Sequence, residues 1–365
     1  MPPGDPCFVI AEAGVNHNGS LDTARELIDV ALAAGADAVK FQTFRADQLV
    51  SKSARKADYQ KRATSSSESQ YEMLKRLELD HAQHRQLRDY CERQGIRFMS
   101  TAFDLESLEF LVDELDVDIL KIPSGEITNG PLVLAHARRA GSGRRLIVST
   151  GMCDMSEVET ALGVIAFGLA RPDLEPESRQ QFVDAYRNEA ARAALRDRVT
   201  LLHCTTEYPA PPRDINLAAM DSLRDQLGLP VGYSDHSEGI DVAIAAVARG
   251  ACVVEKHFTL DRSMPGPDHR ASLEPPELAA MIRSIRIVEA AIGDGVKQAR
   301  ESETKNIEVA RKSLVAGADI PAGTRFAPAN LAIKRPGCGR SPMDYWDLLG
   351  REASVDYRAG DSIDE

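Results

Sequence analysis

Two histidines, His236 in SDH (234–236) and His257 in EKHF (255–258), each sit at the end of a short apolar run. Two neutral imidazoles at adjacent strand ends can hold a divalent cation and leave positions for water and substrate oxygens. The pair does not identify the metal, and either histidine alone reads as structural or as a general base. Glu12, in AEAGVNHNG (11–19), closes the first apolar run ahead of a Gly- and Asn-rich turn. Inside a barrel mouth its carboxylate would need a cation or a sugar hydroxyl as partner; the plainer alternative is a helix-entry loop with Asn18-Gly19 as turn residues. KFQT (40–43) and LKIPSGE (120–126) supply Lys40 and Lys121, with Ser124 and the turn amides near Gly125. Lysine, hydroxyl and backbone amide together can seat a carboxylate or phosphate. A competing chemistry is a Schiff-base aldolase with Lys121 or Lys40 as nucleophile. HCTTEYP (203–209) and PGPDHRAS (265–272) add Tyr208, Asp268 and His269, each of which taken singly reads equally well as a surface residue.

These groups must be brought together by the elements that carry them. Short β-branched runs alternate with amphipathic stretches of helical length. The strand candidates are 7–12, 37–42, 97–101, 118–124, 146–150, 199–204, 230–234 and 251–258. Helices are expected from Ser20, a plausible N-cap, to Ala34, and over about 80–94, 105–115 and 277–293. Regular βα alternation over about 250–290 residues predicts an α/β (β/α)₈ TIM barrel, with a doubly wound open sheet as the other arrangement. Almost every run ends in a polar group: Glu12, Lys40 with Gln42, Thr101, Lys121 with Ser124 and Glu126, Thr150, His203, Ser234 with Asp235 and His236, then Glu255 and His257. A barrel converges such ends on one site, whereas an open sheet spreads them along a line, so the barrel is preferred.

Two insertions interrupt the alternation. The polar segment 43–69, Ser-rich over 51–69, reads as a loop or lid, and the charged 168–198 reads as a solvated decoration lengthening the helix-five region. After residue 292 the texture changes. The barrel is expected over 1–292, a polar linker with helical tendency over 293–311, and a small unit of short irregular strands, punctuated by Pro and Gly, over 312–365.

Composition is permissive. The 365 residues include 43% apolar residues, enough for a sizeable core, and 44 basic against 56 acidic groups give a net charge of −12. That balance argues against nucleic acid or an anionic membrane as partner, though not against a small anion held by local lysines. The start, MPPGDPCFVI, has no signal-peptide pattern. No window approaches a membrane span. Six scattered cysteines without CxxC or zinc-finger spacing read as reduced thiols of a cytoplasmic protein.

The ordered series IAEAGVNHNG, ADAVKFQTF, STAFD, LKIPSGEI, VSTGM, LLHCTTEYP, GYSDHS, EKHFTLD and PGPDHRASLEP resembles the successive motifs of the sialic acid synthases. RKSLVA, IKRPGCG and SPMDYWDLLG are similar to their C-terminal antifreeze-like (SAF) domain, and the likeness runs from about residue 7 to 363. The resemblance implies condensation of phosphoenolpyruvate with N-acetylmannosamine and release of phosphate by C–O cleavage. It implies that His236 and His257 ligate a divalent ion, usually Mn²⁺, with Mg²⁺ or Co²⁺ as alternatives. Glu126 or the metal would activate water. Lys40, Thr101, Lys121, Ser124, Thr206 and Ser234 would grip phosphoenolpyruvate, while Glu12, Gln42, Tyr208 and Asp268 would surround the sugar. Some members have Asn at the place of Thr206, which alters that one phosphate contact. Arg335, in the KRPG turn, would reach the partner's barrel in a domain-swapped homodimer. Relatives with the same chemistry use a diacetamido-trideoxy mannose (legionaminate), an altrose analogue (pseudaminate) or a 6-phosphorylated sugar; STAFDLES, HCTTEYPAPP and the 168–198 insertion favour the N-acetylneuraminate branch. A freestanding ice- or polysaccharide-binding protein would leave the polar barrel rim without a purpose.

Overall fold

The computed structural model describes residues 5–57, 60–61, 68–141 and 143–365. Parts of the segment expected as a lid, 58–59 and 62–67, lie outside the described residues. The chain divides into two compact units, Met1–Gly293 and Asp294–Glu365.

In the first unit eight parallel strands close into a barrel in sequence order, β8 pairing with β1. They are β1 (Phe8–Gly14), β2 (Ala38–Thr43), β3 (Arg97–Ala102), β4 (Ile119–Ile122), β5 (Arg145–Ser149), β6 (Val199–Cys204), β7 (Val231–Asp235) and β8 (Val253–His257). Around them lie α1 (Leu21–Ala34), α2 (Ala46–Leu49), α3 (Gln70–Leu77), α4 (His81–Gln94), α5 (Leu105–Glu109), α6 (Gly130–Ala140) and α7 (Met155–Ala170). α8 (Arg179–Arg187), α9 (Glu189–Arg198), α10 (Pro212–Ile215), α11 (Ala219–Leu227), α12 (Asp241–Ala248) and α13 (Pro275–Ile292) complete the unit. The Ser20 hydroxyl caps α1 by accepting from Thr23 N at 3.2 Å. The stretch expected as one helix over 105–115 is α5 running into a π-turn, Phe110–Glu114.

Strand residues alternate between faces. Outward positions such as Val9, Ala11, Val39 and Val148 meet apolar helix residues such as Leu27 and Ile28 in the main core, where burying each large aliphatic side chain contributes roughly 1.5–3 kcal/mol. The inward positions change character along each strand. Ile10, Ala38, Met99, Ile119, Ile147, Leu202 and Val253 form an apolar plug. Two residues further on stand Glu12, Lys40, Thr101, Lys121, Ser149, Cys204 and Glu255, all buried. The plug seals the barrel below; the polar layer above it is where chemistry can occur. At Gly232 on β7 a side chain would meet Val253 O at 2.4 Å, so the interior admits only glycine there.

The 168–198 insertion is docked more firmly than a solvated decoration. Phe182 of α8 stands edge-on to Phe167 of α7, with ring centroids 5.4 Å apart. Gly163 lets the Phe182 backbone approach, since a Cβ there would be 2.8 Å from Phe182 O. Ala191 and Leu195 of α9 are buried as well. Apolar residues one to two turns apart give this charged segment a packing face that its composition conceals.

In the second unit, α14 (Glu301–Ala310) occupies much of the expected linker and buries none of its residues. β9 (Ser313–Ala316) pairs antiparallel with β10 (Leu331–Lys334), and isolated bridges such as Ile320–Tyr357 extend the pairing. Leu314, Ala316, Ile320, Phe326, Leu348 and Ile363 form its small core. Among the described residues no helix is long and apolar enough to cross a membrane.

Candidate active site

The polar layer opens at the C-terminal strand ends into a cavity of about 300 Å³. The barrel residues to which the resemblance gives a role all line it: Glu12, Lys40, Gln42, Thr101, Lys121, Ser124, Glu126, Thr206, Tyr208, Ser234, His236, His257 and Asp268. Strand ends led to most of these, the loops to Tyr208 and Asp268, and the resemblance to Thr206; barrel closure makes them neighbours.

Its floor is a buried four-charge cluster. Lys40 ion-pairs with Glu12, stands 3.6 Å from Glu255 and donates to Thr101 Oγ1 at 2.9 Å. Lys121 lies 3.3 Å from Glu255 and donates to Ser149 Oγ at 2.8 Å. Ser234 Oγ donates to Glu255 Oε1 at 2.9 Å. Burial opposes ionisation of Glu255, but Lys121 and Lys40 override it and hold the carboxyl below its usual range. Burial pushes Glu12 up, to about 7, against the pull of Lys40 and with Glu255 adding to the rise. Two ammonium groups thus face two carboxylates of unequal basicity, each lysine being held by a carboxylate and by a hydroxyl. Beside them Ser124 Oγ accepts from Gly151 N at 3.0 Å. A Cβ on Gly151 would stand 2.2 Å from Thr206 Oγ1 and 2.7 Å from both Ser124 Oγ and Cys204 Sγ. Small hydroxyl and thiol groups therefore converge on one bare glycine.

Opposite lies the histidine pair. His236 Nδ1 donates to Thr205 O at 2.7 Å, which leaves a lone pair on Nε2, 3.0 Å from the Tyr208 hydroxyl. The two imidazole centroids are 5.8 Å apart. His257 Nδ1 is buried without a hydrogen-bond partner. Burial lowers His236 to about 4, and burial together with the neighbouring His236 holds His257 well below its usual range. Both rings are thus neutral and present lone pairs, the state a metal ligand requires. No cluster of three or more His, Cys, Asp or Glu suited to a metal occurs among the described residues. The residues present fit a divalent ion held by two imidazoles, with its other positions left to water and substrate oxygens. Next to them Gly14 takes φ +53°, and a Cβ there would lie 3.2 Å from His257 Cε1, 3.3 Å from Glu12 Oε1 and 3.4 Å from Gln42 Nε2. Glu126 Oε2 accepts from Asn129 Nδ2 at 2.8 Å.

Some polar strand ends serve structure instead. Thr150 Oγ1 donates to Leu202 O at 3.0 Å, His203 Nε2 donates to Ile215 O at 2.7 Å, and His269 is buried with Nδ1 2.6 Å from Thr259 Oγ1. Arg335 belongs to the second unit, where it is exposed and its Nε donates to Ala310 O at 3.0 Å. Glu255, Ser149 and Cys204 were not selected as site residues although they line the cavity. Their signal was the two-residue step from the plug, as in Val253–Glu255–His257.

Asp235 turns away from the cavity to meet Lys256 at 2.8 Å, both side chains fully buried; it also accepts from Ser237 N and Oγ. Lys256→Met would strand that carboxylate and is expected to cost about 3–5 kcal/mol in denaturant unfolding. The double variant with Asp235→Leu should recover most of the loss.

Asp268 gives a pH test. Burial raises its carboxyl to about 6, so the folded chain holds this proton more tightly than the unfolded one. Its contribution must then reduce stability as pH rises from about 4 to 6, by roughly 3 kcal/mol, and stay level above that. Asp268→Asn should flatten this part of the profile and raise the melting temperature above pH 6, read by thermal melts across pH.

The eight-stranded α/β barrel thus carries, at the C-terminal ends of its strands, one cavity with two buried lysines on its floor and two neutral histidines opposite. The chain belongs to the NeuB family, whose profile matches residues 27–297, and a SAF domain follows over 311–365. An N,N'-diacetyllegionaminic acid synthase of Campylobacter jejuni is 48% identical, over 98% of this chain and 99% of its own. One of Legionella pneumophila is 45% identical, over 98% and 93%. The crystal structure of an N-acetylneuraminic acid (sialic acid) synthetase from Leptospira borgpetersenii, in complex with citrate, superimposes with a TM-score of 0.65 at 32% identity, over 83% and 91%.

Proposed function

We propose that this protein condenses phosphoenolpyruvate with a diacetamido-trideoxy mannose to give a legionaminate-type nine-carbon acid, releasing phosphate by C–O cleavage. The observation that carries the reaction class is the single cavity in which Lys40 and Lys121 face His236 and His257. The acceptor follows the relatives: identities of 48% and 45% to the two legionaminic acid synthases stand against 32% to the sialic acid synthetase. This reverses the preference drawn from the sequence motifs, which put N-acetylmannosamine first.

On this reading Lys40, Lys121, Thr101, Ser124, Thr206 and Ser234 hold the carboxylate and phosphate of phosphoenolpyruvate. Glu12, Gln42, Tyr208 and Asp268 orient the sugar. His236 and His257 would hold a divalent ion, Mn²⁺ by family analogy, whose Lewis acidity polarises the sugar aldehyde. C3 of phosphoenolpyruvate forms the new bond to the aldehyde carbon, and the C=O π pair moves to the aldehyde oxygen. Water adds at C2 with Glu126 taking one of its protons for that oxygen, and the tetrahedral intermediate collapses to the ketone by breaking C2–O, its remaining hydroxyl proton leaving with the phosphate. Arg335 is proposed to act on the sugar in a partner's barrel within a homodimer, a role tested by mixing Arg335→Ala and His257→Ala chains and looking for recovered turnover.

The deciding experiment strips the protein with chelator and offers phosphoenolpyruvate with each acceptor, with and without Mn²⁺, reading product by mass spectrometry. Metal-dependent product with the diacetamido sugar, at higher kcat/KM than with N-acetylmannosamine, is expected. A preference for N-acetylmannosamine would move the protein to the sialic acid branch. No product from any acceptor, with metal bound, would overturn the synthase reading.

A further inference from the structure

One buried ion pair takes no part in the proposed chemistry. Asp235 and Lys256 stand 2.8 Å apart with both side chains fully buried, one residue before His236 and His257 respectively. Taking two charges out of water is costly, and an apolar pair of similar volume is often as stable or more so. Stability is therefore a poor reason for the pair, and its surroundings suggest another.

The pair occupies the last rung between β7 and β8. Register partners run Tyr233–Val254, Ser234–Glu255 and Asp235–Lys256; the two histidines are the next residues, beyond that ladder. Lys256 Nζ also donates to Ser237 O at 2.5 Å, and Asp235 accepts from Ser237 N at 2.9 Å and from Ser237 Oγ at 2.7 Å. The residues on both sides of His236 are thus tied to the side chain that directly precedes His257. Other bonds hold each histidine to a different neighbour. His236 Nδ1 donates to Thr205 O, and its carbonyl accepts from Ala210 N. His257 is the register partner of Glu12 on β1, and its carbonyl accepts from Leu273 N. Tyr208 packs against both rings, with centroids 4.1 and 5.5 Å away, but from a loop that lines the cavity. Behind the rings, Lys256 and Asp235 make the connection. Two imidazoles can share one ion only if their nitrogens converge on it, so the relative placement of the two backbones matters more than that of either alone.

We infer that Asp235 and Lys256 are positioning residues that set the spacing of His236 and His257 for a shared divalent ion. The inference rests on the two-histidine site of the proposed condensation and deepens it with a pair that touches neither ion nor substrate. Removing groups that orient metal ligands costs about 10–10²-fold in metal affinity, which sets the scale of the effect.

The test is calorimetric titration of the chelator-stripped full-length protein with Mn²⁺, alongside denaturant unfolding. Asp235→Leu with Lys256→Met removes both charges and their side-chain bonds to Ser237 while filling similar space. Its unfolding midpoint should lie close to that of wild type, yet Mn²⁺ should bind about 10–10²-fold more weakly. Phosphoenolpyruvate affinity should stay within a few-fold. Asp235→Asn with Lys256→Met keeps an acceptor for Ser237 and loses the link from Lys256; it should show the same loss of ion affinity, and it serves if the apolar pair does not fold. A purely structural pair would move the unfolding midpoint and leave ion affinity of the folded protein alone. Wild-type Mn²⁺ affinity in either folded double variant therefore overturns the inference, and the histidine site still stands if His257→Ala abolishes binding. A wild-type protein that binds no Mn²⁺ overturns the two-histidine reading and this inference together.

Discussion

His257→Ala is expected to lower turnover by about 10³-fold or more and to abolish saturable binding of a divalent ion in calorimetric titration of the chelator-stripped protein. Burial keeps His257 neutral and leaves its Nδ1 without a hydrogen-bond partner, so the side chain is a lone-pair donor with no structural bond to lose. Because it lines an existing cavity, truncation should cost little stability, and the melting temperature of the metal-free protein should barely move. Phosphoenolpyruvate affinity should persist within a few-fold, since the lysine seat lies on the other strands. His257→Gln separates hydrogen bonding from metal ligation: it should behave like alanine if an imidazole lone pair is what matters. Retention of near-normal turnover and ion binding by both variants would refute the proposed two-histidine site.

Lys121→Met should reduce kcat/KM for phosphoenolpyruvate by about 10³-fold, the scale of losing one buried, hydrogen-bonded charge partner. Methionine keeps the length and apolar stem of lysine, so the change isolates the ammonium group. That group contacts Glu255 at 3.3 Å and Ser149 at 2.8 Å, and it is the largest influence holding Glu255 ionised against burial. Its removal therefore also leaves a carboxylate in the anion seat with only Lys40 and Ser234 beside it, repelling the substrate. Stability should fall as well, toward the lower end of the roughly 3–5 kcal/mol typical of a broken buried pair, because those two partners remain. Lys121→Arg should not rescue activity, as a longer planar guanidinium has no space in a position only 3% exposed. An unchanged KM for phosphoenolpyruvate in Lys121→Met would remove this lysine from the proposed seat.

Glu255 and Asp235 show why the site was only partly legible. Both are carboxylates at the ends of neighbouring strands, and composition treats them alike. The two-residue period puts Glu255 in phase with Val253 in the plug and His257 in the mouth, while Asp235 falls between Ser234 and His236 and faces Lys256. That phase can be read along one strand, but Lys40, Lys121 and the histidines were reached as polar strand ends, a criterion that does not separate inward from outward residues. Thr150 and His203 looked equivalent to them, yet their bonds run to Leu202 O and Ile215 O; each stands one residue out of phase with an inward neighbour, Ser149 or Cys204.

By itself the sequence determined the alternation of strands and helices, the Ser20 cap, the change from apolar to polar along the inward faces, and the family to which the chain belongs. These are local properties, set by periods of 2 and 3.6 residues and by side-chain hydrogen bonds within a turn. Only the tertiary structure decided that Glu12 and Glu255 share two lysines, that Gly151 sits among Ser124, Cys204 and Thr206, and that the two histidines stand across one cavity from those lysines. Those contacts join residues tens to hundreds of positions apart, and their distances depend on the summed twist and stagger of eight strands closing on themselves. No local period carries that sum.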